Sequence, residues 1–202
     1  MLMRDITGST PCSGIILAGG RATRLQGRDK GLLELAGEPL LAHVLRRLRP
    51  QVDDIVINAN RHLEQYAAFG WPVVPDHTPD FAGPLAGIQA ALPHCRHEWV
   101  LVVACDCPLL PTDLAQRLFA GLSAGSWLAI AHDGKRLQPL CLLLHKSLQL
   151  SLDATVQAGH AKVERWCLAQ AHDVVTIADV GAFRNINTEE DLREVAALLL
   201  VS

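Results

Sequence analysis

The sequence predicts an α/β chain whose mainly parallel sheet is covered by helices on both faces. Three observations predict it. Short, almost wholly apolar runs of strand length recur along the chain. Stretches with a helical apolar period separate them. With 202 residues, half of them hydrophobic, the chain can bury one substantial core.

The strand candidates come first. GIILA at 14–18, DIVINAN at 54–60, EWVLVVACD at 98–106 and WLAIAHD at 127–133 are too short for buried helices and lack the polar alternation of half-exposed strands. WPVVPD at 71–76 reads as a further short strand. Between the first two, PLLAHVLRRL puts Leu40, Leu41, Val44, Leu45 and Leu48 on one helical face and Arg46, Arg47 and Arg49 mostly on the other. PLAGIQAAL and TDLAQRLFAGL carry the same period. A last helix begins at Thr188, where Asp191 three residues on makes a capping box. Residues 1–12 read as a flexible segment and 13–202 as one domain.

Composition narrows the partners. A formal charge of -3 and 19% charged residues exclude a disordered chain and disfavour a broad nucleic-acid surface. Arg21, Arg24, Arg28 and Lys30 still make a local cationic cluster, suited to a small anionic ligand. No apolar run reaches the roughly 18 residues of a membrane span, and nothing near the start reads as a secretory signal, so the expected location is the cytosol. Six scattered cysteines without a C-x-x-C pair suggest reduced thiols. Cys105 and Cys107 flank Asp106, and strand-end packing is the favoured reading for both. The nine histidines show no H-x-x-x-H or H-E-x-x-H spacing, and His132 reads as a turn residue at a strand end.

In parallel sheets ligands bind beyond the carboxyl ends of the strands, so the residues just after each strand carry the functional signal. The first strand enters LAGGRATRLQGRDKG, from Leu17 to Gly31. Gly19 and Gly20 let backbone N–H groups approach a ligand, and Arg24 and Lys30 bring charge for phosphate oxygens. The spacing matches neither a P-loop nor a dinucleotide fingerprint, and a plain β-to-α loop with exposed cations remains the alternative. Asn58 and Asn60 close the second strand, where an amide can read a base edge or simply make a turn. Asp76 is open to the same two readings. Gly83 and Gly87 surround a proline-initiated helix start with N–H groups for an anion or a purine. Asp106 ends a buried strand before Pro108, where a carboxylate either holds magnesium or caps a helix.

In order, LAGGxxxR, DKGLL, NAN, PD, GPLAG and CD make a pattern that resembles the molybdenum cofactor guanylyltransferases from about Gly14 to the last helix. The resemblance implies a three-layer α/β/α Rossmann-like nucleotidyltransferase fold. It implies that Leu17, Ala18 and Gly19 bind GTP through the loop backbone, with Lys30 on the phosphates and Asn58 and Asp76 on the guanosine. Asp106 would contact GTP and Mg2+, and Asn185 and Asn187 the molybdopterin. The pattern departs at Gln26, where a glycine is usual, at Cys107 for a small residue such as threonine, and at Gln138-Pro139 for His-Pro.

The implied reaction moves GMP from GTP to the terminal phosphate of molybdopterin and releases pyrophosphate. Lys30, Arg24 and Asp106 would be its catalytic residues, with transient contacts to the proteins that deliver and receive the cofactor. Two rivals remain from the residues alone. One is a related cytidylyltransferase or sugar-phosphate nucleotidyltransferase, since the residues by themselves leave the choice between guanine and cytosine open. The other is a non-catalytic nucleotide-binding domain, which would be expected to have lost its lysine or its acid.

Overall fold

The computed structural model describes residues 10–19, 29–77, 83–160, 162–179 and 181–199. Gly20, Arg21, Arg24, Leu25, Gln26 and Arg28 therefore lie outside the described residues.

Three apolar strands make the centre of one sheet: β1 (Cys12–Leu17), β4 (Asp54–Asn58) and β6 (Trp99–Ala104), with β1 paired in parallel to both others. β1 starts at Cys12, within the segment expected to be flexible, because Asp53 N–H donates to the Cys12 carbonyl and the Asp53 carboxylate accepts from the Cys12 N–H. A hairpin, β2 (Glu34–Leu35) and β3 (Glu38–Pro39), precedes the first helix, α1 (Leu40–Leu48). After β4 come α2 (Leu63–Ala67), β5 (Val73–Val74) and α3 (Pro84–Ala91). After β6 come α4 (Leu114–Ala120), β7 (Leu128–His132), β8 (Leu137–His145), α5 (Gln149–Gln157), α6 (Val163–Leu168), β9 (His172–Thr176) and α7 (Glu189–Leu199).

The seven strands run in the order β5-β4-β1-β6-β8-β7-β9. Only β8 is antiparallel to its neighbours, lying between β6 and β7. Alternate side chains leave the sheet on opposite faces. Ile16, Ile55, Ile57, Leu101 and Val103 join α1 and α4 in one core. Ile15, Leu17, Val56, Val100 and Val102 join α3, α5 and α6 in the other. Both faces are thus covered, which gives the three layers expected. α7 closes a smaller cluster with the hairpin through Leu35, Ile186 and Val195. No helix among the described residues is long and apolar enough to cross a membrane.

The capping box at the last helix is realised with aspartate in the acidic position. Thr188 Oγ1 accepts from the Asp191 N–H at 3.1 Å, and Asp191 Oδ2 accepts from the N–H groups of Asn187 and Thr188, each at 2.9 Å. The Asn187 N–H is the main cause that holds the Asp191 carboxyl below its usual 3.8. The stabilisation is therefore complete above pH 4 or so and disappears as pH falls through the lowered folded value. Asp191→Ala is expected to lower the melting temperature by a few degrees at pH 7, a cap being worth about 1 kcal/mol. In a thermal melt series the gap to the parent should close as pH falls through the lowered folded value. A gap constant across that range would remove the carboxylate from the cap.

Candidate active site

A cavity of about 340 Å³ opens at the carboxyl ends of β1, β4 and β6. Leu17, Ala18 and Gly19 form its wall at the exit of β1, with Lys30 beyond them. Asn58 and Asp76 line it from β4 and the segment after β5, Gly83 from the start of α3, and Asp106 from the exit of β6. The eight described residues singled out for GTP thus share one cavity. Pro84, Ala104, Cys105 and Leu140 complete the wall. Leu140 comes from β8, whose place in the sheet the apolar runs do not reveal.

The charged centre is a three-residue junction. Lys30 Nζ donates to Asp106 Oδ2 at 2.8 Å and to Asn187 Oδ1 at 2.7 Å. Both ends of the ion pair are mostly buried, with side-chain exposures of 21% and 15%. Asp106 is not a helix cap: the next helix, α4, starts at Leu114 with Asp113 at its N-cap. Its other oxygen, Oδ1, is buried and has no hydrogen-bond partner among the described residues. A buried acceptor of that kind calls for a compensating donor or cation. Among the described residues no group of three or more His, Cys, Asp or Glu side chains could hold a metal by itself. One carboxylate with an open oxygen in a cavity suits an ion that takes its remaining ligands from phosphates and water.

At the far end, amides fix a second carboxylate. Asn58 Nδ2 donates to Asp76 Oδ1 at 2.8 Å and Asn60 Nδ2 to Asp76 Oδ2 at 2.8 Å, while Asn60 Oδ1 accepts from the Asp76 N–H. Asn58 faces the cavity and Asn60 braces Asp76. Gly87 of α3 has no room for a side chain, since a Cβ would lie 2.3 Å from Asn58 Oδ1. The Ala18 N–H is committed to the Asn58 carbonyl and the Leu17 carbonyl to the Cys105 N–H, so sheet bonds already use part of the loop backbone.

A second cavity of about 490 Å³ has Asn187 in its wall. Asn185 and Asn187 line it, together with Lys135, Arg136 and Arg184, cations that the sequence reading did not single out. Asn187 thereby links the second cavity to Lys30 of the first by a hydrogen bond. The Ile186 N–H donates to the Asp106 carbonyl at 2.9 Å and holds this segment against the exit of β6. His132 ends β7 and its Nδ1 accepts from the Gly134 N–H, the turn role expected of it. Cys105 and Cys107 pack in the core, and Cys107 Sγ donates to the Ala182 carbonyl. Burial raises both thiols well above their usual range, together with neighbouring Asp106 for Cys105 and, before burial, a hydrogen bond with Cys141 for Cys107.

The family model of the MobA-like NTP transferase domain matches residues 14–174, which span the first strand, the ion pair and the sheet as far as β9. The chain belongs to this family. The transferase is 45% identical over 191 residues to the molybdenum cofactor guanylyltransferase of Shewanella sp. strain MR-4, covering 94% of this chain and 97% of the relative. Among solved structures it is similar to the molybdopterin-guanine dinucleotide biosynthesis protein A of Archaeoglobus fulgidus, with a TM-score of 0.79 at 23% identity over 94% of this chain and 100% of that one. A Mycobacterium tuberculosis protein in complex with manganese superposes with a TM-score of 0.71 at 17% identity, over 93% of the transferase and 99% of that protein. At such identities the two structures bear on the fold of the transferase alone.

Proposed function

We propose that residues 13–202 act as one nucleotidyltransferase domain in the cytosol, moving GMP from GTP to the terminal phosphate of molybdopterin. The observation that carries this reading is the junction of Lys30, Asp106 and Asn187, which joins a lining residue of one cavity to a lining residue of the other. In the reaction a phosphate oxygen of the pterin forms a bond to the α-phosphorus of GTP, and the bond from that phosphorus to the bridging oxygen of pyrophosphate breaks. The attacking group is already an anion, so no strong base is needed. The protein's task is to align two negative groups and offset their repulsion.

GTP belongs in the first cavity. Leu17, Ala18 and Gly19 would follow the nucleotide with backbone, Asn58 and the amide-held Asp76 would take donors of the guanosine, and Gly83 would offer its N–H. Lys30 would meet the phosphates from its place beside Asp106 and Asn187. Gly20 and Arg24, assigned to the same phosphates, lie outside the described residues. The open Asp106 Oδ1 would hold Mg2+, which supplies charge neutralisation to the phosphates when bound. Molybdopterin would enter the second cavity beside Asn185 and Asn187.

A calorimetric titration with GTP, CTP, UTP and ATP, each with Mg2+ and with EDTA, tests the base pocket and the acid together. GTP is expected to bind tightest, and EDTA should weaken it by on the order of ten-fold or more through loss of the cation's charge neutralisation. A preference for CTP would point to the cytidylyltransferase instead, and tight binding of none would leave a fold without nucleotide chemistry.

A further inference from the structure

Tyr66 is the buried residue of a five-residue helix, α2, and it is 0% exposed. A fully buried position of this kind is normally apolar, so its hydroxyl needs a reason. That hydroxyl donates to Asp29 Oδ1, and Asp29 is itself 92% buried, at 8% exposure. On the far side of Lys30, a Cβ on Gly31 would lie 2.5 Å from the same hydroxyl, so only glycine lets the phenol sit flush with the backbone there. One phenol thus touches the residues on both sides of Lys30. The chain then turns, with the Leu32 N–H donating to the Asp29 carbonyl at 3.2 Å and the Leu33 N–H to the Lys30 carbonyl at 3.1 Å. Burial holds the Tyr66 hydroxyl above its usual pKa, so it stays a donor.

We propose that Tyr66 is a positioning residue for the transfer step: its hydroxyl pins Asp29 so that Lys30 leaves the backbone toward Asp106, Asn187 and the cavity. The proposal rests on the reading that Lys30 acts on the phosphates. Tyr66 touches no substrate. It acts by removing the freedom of a long, flexible ammonium whose misplacement by an ångström is felt at the reacting phosphorus.

The test is a double-mutant cycle of Tyr66→Phe and Lys30→Ala, read by pyrophosphate release with GTP and molybdopterin and by calorimetric GTP affinity in EDTA. Tyr66→Phe alone should lower kcat/KM by on the order of ten-fold and weaken GTP in the same direction. In the Lys30→Ala background it should do neither, because the group it positions is gone. Equal loss in both backgrounds would overturn the proposal in favour of a general structural role, as would unchanged kinetics of the single variant. If Lys30→Ala itself is inert, the phosphate role of Lys30 fails and the proposal with it. Should Tyr66→Phe melt below the assay temperature, Asp29→Ala replaces it with the same expectations.

Discussion

Asp106→Ala is expected to abolish turnover, a loss on the order of a thousand-fold or more in kcat, or about 4 kcal/mol of barrier. The reason lies in the division of its two oxygens. Oδ2 pairs with Lys30 and Oδ1 is buried without a partner among the described residues, so the group is poised for a cation from one side and an ammonium from the other. The fold should survive, because the Ile186 N–H bonds the backbone carbonyl of residue 106 and not its side chain. Circular dichroism establishes that independently. Asp106→Asn is the sharper variant: it keeps shape and an acceptor for Lys30 but removes the negative charge available to an ion. Near-normal turnover in the folded Asn variant would take Asp106 out of the metal role.

Lys30→Ala should raise the barrier by about 2 to 4 kcal/mol, which is roughly 30- to 1000-fold in kcat/KM. A positive charge fixed before the reaction begins is worth more than one recruited from solvent. Here Asp106 and Asn187 hold it ready at 2.8 and 2.7 Å. Lys30→Met separates the charge from the stem, since the apolar chain is retained. Its loss should match that of alanine. Lys30→Arg should not restore the rate, because the planar fork cannot occupy a point-charge position between an aspartate and an asparagine. A Met variant as active as the parent would show that the ammonium plays no part.

Part of this was legible in the sequence because several of the relevant side chains stand at or just past the end of a buried strand. Asn58 and Asp106 became candidates by that rule, since parallel strands bring their carboxyl ends to one edge, whereas Leu17 came from the family resemblance. The capping box at Thr188 was equally visible, because it is local and needs only three residues of spacing. What stayed hidden is non-local. LQPLCLLLH carries Gln138 and Pro139 near its start, and no pattern within it says that it inserts antiparallel between β6 and β7. Tyr66 was hidden because α2 is too short to show a period. The role of Asn60 as a brace for Asp76 depends on which way two neighbouring amides turn, and composition does not encode that.

The Asn187 amide closes on Lys30 across 157 positions of the chain, while Asp106 closes on it across 76. A ribosome therefore releases the two ends of this junction at opposite stages of synthesis. The first cavity takes its walls from β1 through β8, and its lysine gains the asparagine only from the segment that follows β9. Asp106 is the anchor nearer in sequence, and the second anchor at residue 187 joins two distant stretches of the chain at one ammonium.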